Sequence, residues 1–334
     1  MPNKTATALL GAGVFALALT ALTPTVLQPA LLKAPGEIDL VTNSRSDAQR
    51  LNVATGELEP LQVQLIRTLK THVADGKLVG TAETAVYDEL LNLAVVGPDG
   101  EVQTLDARGR YSGLQASSSV VAFDRKTGEG KPGTLGDTWR TTGQTVKFPF
   151  GTEKKTYDYY DQTSRQAWPV SYTRTTTVKG LEVYEFKGTV PETSLGQFGL
   201  LEGTETLYTN AGRTVLVEPV TGSIVSSTTS PRTSIRFPDG TLRQALLVEE
   251  LVPVDATVAD RVDAAKSSKR TALLVQRAPW VLGGLALLLL AGGIALMRRR
   301  PAETPRPSRT IDLTGHLPRP RAEEKAADKP LSQK

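Results

Sequence analysis

The sequence predicts a mainly β, α+β protein: a large antiparallel β-rich extracytoplasmic domain flanked by N- and C-terminal transmembrane helices. Three observations carry this prediction. Uncharged apolar stretches lie near both ends of the 334-residue chain. Between them, apolar and polar residues alternate with a period of two. Turn signals built on Gly, Pro, Asn and Asp punctuate that alternation.

The first apolar stretch carries no charge between Lys4 and Lys33 and is centred on TATALLGAGVFALALTALTPTVL. About 20 apolar residues cross a bilayer core, so residues 1–33 read as a transmembrane helix or signal anchor. A cleaved signal peptide is the simpler alternative. Its basic region would hold only Lys4, and no clear A-x-A cleavage site follows, so the reading is an uncleaved anchor. Ala8, Ala12 and Ala16 stand four apart in this stretch, and Ala291 and Ala295 do so in the second one. Such spacing lets helices approach closely. The general abundance of alanine in the chain explains it equally well.

Residues 34–254 are the predicted β-rich domain. In LQVQLIRTLKTHV, residues 61–73, Leu61, Val63, Leu65, Leu69 and Val73 fall on one face and mostly polar residues on the other. Further strands are marked by turns at Asp124–Gly128, Lys179–Gly180, Asn210–Gly212 and Glu218–Gly222. Three turns share a Thr-Gly step, at residues 54–56, 126–128 and 220–222. Their separations are unequal, so they read as ordinary hairpins rather than propeller blades. Thr84–Val95 is apolar but ambiguous between helix and strand. Residues 255–277, with Val258, Val262 and Ala265 recurring on one face, read as a helical stalk.

Residues 278–297, APWVLGGLALLLLAGGIALM, form the second transmembrane segment and are followed directly by Arg298, Arg299 and Arg300. Basic residues favour the cytoplasmic side and Trp the interface, so Trp280 marks the outer face and both termini are cytoplasmic in a two-pass plasma-membrane protein. Lys266, Lys269, Arg270 and Arg277 oppose this orientation, and the packed triplet outweighs them. Residues 298–334 read as a basic, Pro-rich disordered cytoplasmic tail. From Arg298 onward there are ten basic and five acidic residues. Residues 5–297 hold 28 basic against 30 acidic residues, so the net charge of +4 comes from the tail. That distribution argues for contact with membrane lipid headgroups and against nucleic acid.

The chemistry available is limited. There is no cysteine, which excludes disulfides and thiolate sites, and His72 is the single histidine before the tail. A zinc site or a Ser-His-Asp triad has nothing to be built from. His72 reads as a solvated strand residue. Asp158 and Asp161 flank two tyrosines, but three residues apart on a strand they face opposite sides, and in a turn they act as backbone caps. No catalytic residue, metal ligand or cofactor is assigned, and the chain reads as non-enzymatic. The densest aromatic stretch, residues 147–173, holds seven of the eighteen aromatic residues: Phe148, Phe150, Tyr157, Tyr159, Tyr160, Trp168 and Tyr172. Core filling accounts for most of them, and a ligand-facing aromatic wall is the functional alternative.

KFPFGTEKKTYDYYDQTSRQAWPVSYT, KGLEVYEFKGTVPET and LYTNAGRTVLVEPVTGSIV, together with VVAFDRKTGEG nearer the N-terminus, resemble the actinobacterial porin PorA family, first catalogued as a domain of unknown function. The resemblance covers residues 5–297 and is most specific in FPF-x-T-E-K-x-T-Y and VEP-x-TG. It implies a two-span envelope protein and, by its label, a pore. It carries no catalytic residues. The expected function is therefore binding of an envelope lipid or glycolipid at the aromatic stretch. The alternatives are an assembly partner of other envelope proteins or a pore component.

Overall fold

A computed structural model of the chain describes residues 4–103, 114–133, 141–197 and 202–298. In chain order the elements are α1 (Lys4–Leu22), a π-helical turn (Thr23–Leu27), α2 (Gln28–Leu31), β1 (Asp39–Leu51), β2 (Leu58–Thr71), β3 (Val73–Ala74), β4 (Lys77–Leu78), β5 (Thr84–Val96), β6 (Val102–Gln103), β7 (Gln115–Asp124), β8 (Thr156–Asp161), β9 (Gln166–Val178), β10 (Leu181–Gln197), β11 (Glu205–Glu218), β12 (Ser223–Arg236), β13 (Leu242–Val248), β14 (Val252–Pro253) and α3 (Asp255–Arg298).

The strands between the two apolar helices form one antiparallel sheet, with β3 and β4 as a separate small hairpin. Its main path runs β5-β2-β1-β13-β12-β11-β10-β9-β8, and β7 flanks β5. The two ends of this path are joined. Phe123 of β7 bridges to Gly130, Glu129 bridges to Gln144, and Gln144 bridges to Tyr159 of β8. Backbone bonds from Gly130 N to Gly143 O (2.8 Å) and from Gln144 N to Asp158 O (2.7 Å) complete the ring. Closure removes the exposed edges that an open sheet of this size would present.

The three Thr-Gly steps fold into the same turn. Asn52, Asp124 and Glu218 each accept, through a side-chain oxygen, the backbone N–H groups two and three residues on. The glycines that follow, Gly56, Gly128 and Gly222, sit at φ +76°, +77° and +75°. That left-handed conformation is accessible to glycine without a Cβ clash.

The predicted turn at Asn210–Gly212 is instead a bulge inside β11, where pairing with β12 shifts register between Asn210 and Arg213. Asn210 Oδ1 holds the bulge by accepting from Gly212 N (3.3 Å) and Ser230 N (3.0 Å). The ambiguous Thr84–Val95 segment is strand β5. It lies between β2 and β7 and is buried on both faces for much of its length, which erases the alternation that would identify a strand. Phe148 and Phe150 lie in an extended segment with a single bridge from Lys147 to Ser223.

The two apolar helices pair through small residues, and of those the four-residue spacing picks out, Ala16 alone is buried there. Ala8 and Ala12 are exposed, whereas Ala6, Gly13 and Ala16 are buried, as are Ala286 and Gly293 of α3. A Cβ on Gly13 would lie 2.7 Å from Leu290, and one on Gly293 would lie 2.8 Å from Leu10, so the glycines are where the helices come closest. α3 runs unbroken through Pro279 to Arg298, joining stalk and apolar segment in one 44-residue helix. Its first turns pack Val258, Val262 and Ala265 against Leu181, Val183, Leu216 and Val225. Trp280 is exposed on the surface of the helix pair. Arg299, Arg300 and the remaining tail lie outside the described residues.

The β domain meets the helices at one end. Ala34 N donates to Arg125 O (2.7 Å), Arg125 Nε returns a bond to Ala34 O (2.7 Å), and Gln28 Nε2 donates to Val275 O (3.2 Å). Outward strand positions such as Asp39, Lys70, Glu182 and Lys187 are exposed and charged.

Candidate functional site

The stretch FPFGTE is clamped between two of the Thr-Gly turns. Phe148 N donates to Gly222 O (2.8 Å), Gly151 N to Val220 O (3.0 Å) and Thr152 N to Pro219 O (2.7 Å). On the other side Lys147 Nζ donates to Lys126 O (3.0 Å). A Cβ on Gly222 would come within 2.0 Å of Phe148 O, and one on Gly128 within 2.2 Å of Lys147 O. Both turns therefore need glycine for close approach as well as for φ.

The clamp drives Phe148 into the core. Its ring packs edge-on to Tyr157 at 5.3 Å and stacks near Tyr159 at 5.9 Å and Phe186 at 5.0 Å. Val170, Val215, Val217 and Ile224 complete the cluster, and Tyr172 packs on its edge against Tyr184 and Phe186. Trp168 is half-buried, with Nε1 donating to Ser164 Oγ (3.0 Å). Phe150 and Tyr160 leave this cluster. Phe150 lies beneath the Lys147 ammonium, 4.1 Å from Nζ to the ring centre. Of the seven aromatics, Phe150, Tyr159 and Tyr160 line open space.

That space has two adjoining parts. A chamber of about 200 Å³ lies against the inward faces of β1, β2, β5, β8, β11 and β12. A mouth of about 480 Å³ lies where α2 and the segment leading to β1 approach α3, with Leu31, Ile38, Leu40, Phe123, Phe150 and Ala272 on its walls. Thr42, Ile224, Thr257 and Arg261 line both. Their combined size falls in the usual range for small-molecule sites, roughly 300–1,000 Å³.

The two parts differ in chemistry. The mouth is mostly apolar and contains a buried Lys147, whose pKa desolvation pushes down to about 7, only partly opposed by Asp124. The chamber wall adds buried charged side chains to apolar ones. Arg67 Nε bonds Glu89 Oε1, whose other oxygen accepts from Gln162 Nε2. Arg213 Nη2 donates to Asp161 Oδ2, which also accepts from Tyr208 Oη (3.3 Å). Asp161 Oδ1 accepts from Ser164 N (2.7 Å) and Oγ (2.9 Å). Burial and then Asp161 raise the Tyr208 hydroxyl above the usual phenol range. Arg261, at the junction, donates from Nη1 to Ile224 O (3.0 Å), and burial together with nearby Arg67 pulls it down to about 10, so it stays cationic at neutral pH.

Asp158 and Asp161 do face opposite sides, the first exposed and the second buried. His72 sits at the end of β2 with Nδ1 2.6 Å from Asp88 Oδ1. Sequence reasoning assigned no role to Arg67, Glu89, Asn210, Arg213 or Arg261. For Arg67 a signal was present. It occupies the position between Leu65 and Leu69 on the apolar face of its strand, where the alternation calls for another apolar residue.

A curated relative from Corynebacterium amycolatum, described as Porin PorA, is 29% identical over a stretch covering 30% of this chain and 35% of its own length. The match thus spans about a third of that relative. A family model described as Porin PorA matches residues 5–295, from the first apolar helix through the sheet to the second. The whole sheet and all but the outermost residues of the two apolar helices fall within that match, and the chain belongs to the porin PorA family.

Proposed function

We propose that this membrane protein is a non-enzymatic component of the actinobacterial cell envelope that binds an envelope lipid or glycolipid. In this reading residues 34–254 are extracytoplasmic, residues 255–277 form a stalk, and both termini are cytoplasmic at the plasma membrane. One observation carries it: an apolar mouth beside the paired helices adjoins, across Thr42, Ile224, Thr257 and Arg261, a chamber inside the sheet whose wall holds the buried ion pairs. An amphiphile has the same division, with chains that favour the mouth and a headgroup that favours the chamber. Phe150, Tyr159 and Tyr160 are the aromatic residues of the 147–173 stretch that would touch it.

The test is to purify the full chain from membranes in mild detergent and extract it with organic solvent for lipid mass spectrometry. The expected result is one lipid species in stoichiometric amount, depleted in an Ala264→Trp variant that fills the mouth. A folded chain carrying no lipid above the detergent background would overturn the reading in favour of an assembly partner.

A second reading, a pore component, is favoured by the closed sheet and the family name. Its strands lack the outward apolar band of a membrane barrel, because exposed charged residues such as Lys70 and Lys187 stand there. Conductance of the reconstituted chain in a planar bilayer separates this reading from the first.

A further inference from the structure

The chamber wall holds buried donors that have no partner in the protein. Among the described residues, four buried side-chain atoms have no hydrogen-bond partner: Ser119 Oγ, Asn210 Nδ2, Arg213 Nε and Arg213 Nη1. Three of these are N–H donors, and they belong to two residues of the chamber wall. Asn210 is fully buried and Arg213 is 7% exposed. The orientation of the Asn210 amide is fixed, because its oxygen is occupied by Gly212 N and Ser230 N. Its NH₂ is left without a protein acceptor.

The carboxylates nearby are already engaged. Both oxygens of Asp161 and both of Glu89 receive donors from within the protein. The charge is unbalanced in the same direction: three guanidinium groups, Arg67, Arg213 and Arg261, face two carboxylates, Glu89 and Asp161. Water can satisfy an N–H, but it does not neutralise a buried cation, and an uncompensated buried charge is costly.

We infer that the chamber recognises an anionic, oxygen-rich headgroup of the phosphate, sulfate or carboxylate class, with the separate Nε and Nη1 groups of Arg213 and the Asn210 amide as its donors. A guanidinium holds its N–H donors in a fixed plane around a delocalised charge, which an ammonium does not. This inference rests on the reading of the passage as a lipid site and adds the charge of the lipid.

The experiment uses the full chain in detergent with three probes: phosphatidylglycerol, a diacylglycerol of the same chains, and soluble glycerol phosphate. Binding is followed by native mass spectrometry and thermophoresis. Phosphatidylglycerol is expected to bind at least ~10-fold more tightly than diacylglycerol, a difference of ~1.4 kcal/mol. Asn210→Asp keeps the oxygen that holds the bulge but brings a negative charge into the chamber. It should weaken phosphatidylglycerol ~10-fold or more and leave diacylglycerol unchanged. Arg213→Lys keeps the charge but loses the fixed planar donors, and should give an intermediate loss.

Equal affinity for both lipids, with no effect of Asn210→Asp, would overturn the charge inference while leaving the lipid site standing. Binding of glycerol phosphate alone, abolished by Asn210→Asp, would uphold the anion chemistry while the lipid reading fails. Binding of none of the three probes to a folded chain would overturn the inference.

Discussion

The aromatic cluster around Phe148 and the chamber around Arg213 are built on the same strands. β8 sends Tyr157 into the first and Asp161 into the second, with Tyr159 at the boundary. β11 sends Val215 and Val217 into the first, and Tyr208, Asn210 and Arg213 into the second. Backbone pairing continues through both, yet one half is packed with rings and the other holds ion pairs and open volume. Register shifts occur in both halves, at Asn210–Arg213 in one and at Leu216–Val217 in the other, so the difference lies in the polar residues at inward positions. Burial in this fold is therefore a property of the closed sheet, and which inward positions carry apolar side chains decides whether it becomes core or cavity.

The sharpest way to break this contrast is Phe148→Ala. The ring is fully buried and touches three other rings. Its removal should cost about 3–5 kcal/mol, read as a large fall in the thermal midpoint of the detergent-solubilised chain. Next is a mutant cycle across the Arg213–Asp161 pair. Asp161→Leu alone strands a buried guanidinium and should cost roughly 3–5 kcal/mol. Adding Arg213→Met should recover most of that, because a buried pair is often replaced by apolar residues at little net cost. A double variant as unstable as the single one would mean the chamber is held for stability, in the same way as the aromatic half.

The smallest effect concerns Lys147, where the two Thr-Gly turns meet the mouth. Its folded pKa of about 7 lies below the ordinary lysine value of 10.5. The unfolded chain therefore binds more protons between those limits, and stability rises with pH across that window, by up to roughly 1.4 kcal/mol per pH unit. Lys147→Met should flatten that rise between pH 7 and 9 in thermal unfolding, and an unchanged slope would show that Lys147 is not its source.

The sequence carried much of the β domain plainly. The alternation in residues 61–73, the Thr-Gly turns and the face of Val258, Val262 and Ala265 are local patterns, and local patterns survive in one dimension. The ring closure did not show. It depends on short bridges by Glu129, Gly130 and Gln144, none of which belongs to a strand long enough to have a period. The bulge at Asn210 looked like a turn because Asn and Gly serve both purposes. The chamber was the least visible part. Its charged residues come from positions 67, 89, 161, 213 and 261, and only the sheet's closure brings them together. Arg67 alone left a trace, as the one charge on an apolar face.

The pairing of α1 with α3 has one more consequence. A chain without cysteine has no covalent crosslink, yet here the segments entering and leaving the β domain are held side by side. Any denatured ensemble that keeps the helix pair intact is a closed loop of more than two hundred residues rather than a free chain. By the chain-entropy argument used for a covalent link, closing a loop of that size is worth about 5 kcal/mol. The bilayer would then act as the staple that this domain lacks, and cutting either helix away would loosen a fold whose own contacts are unchanged.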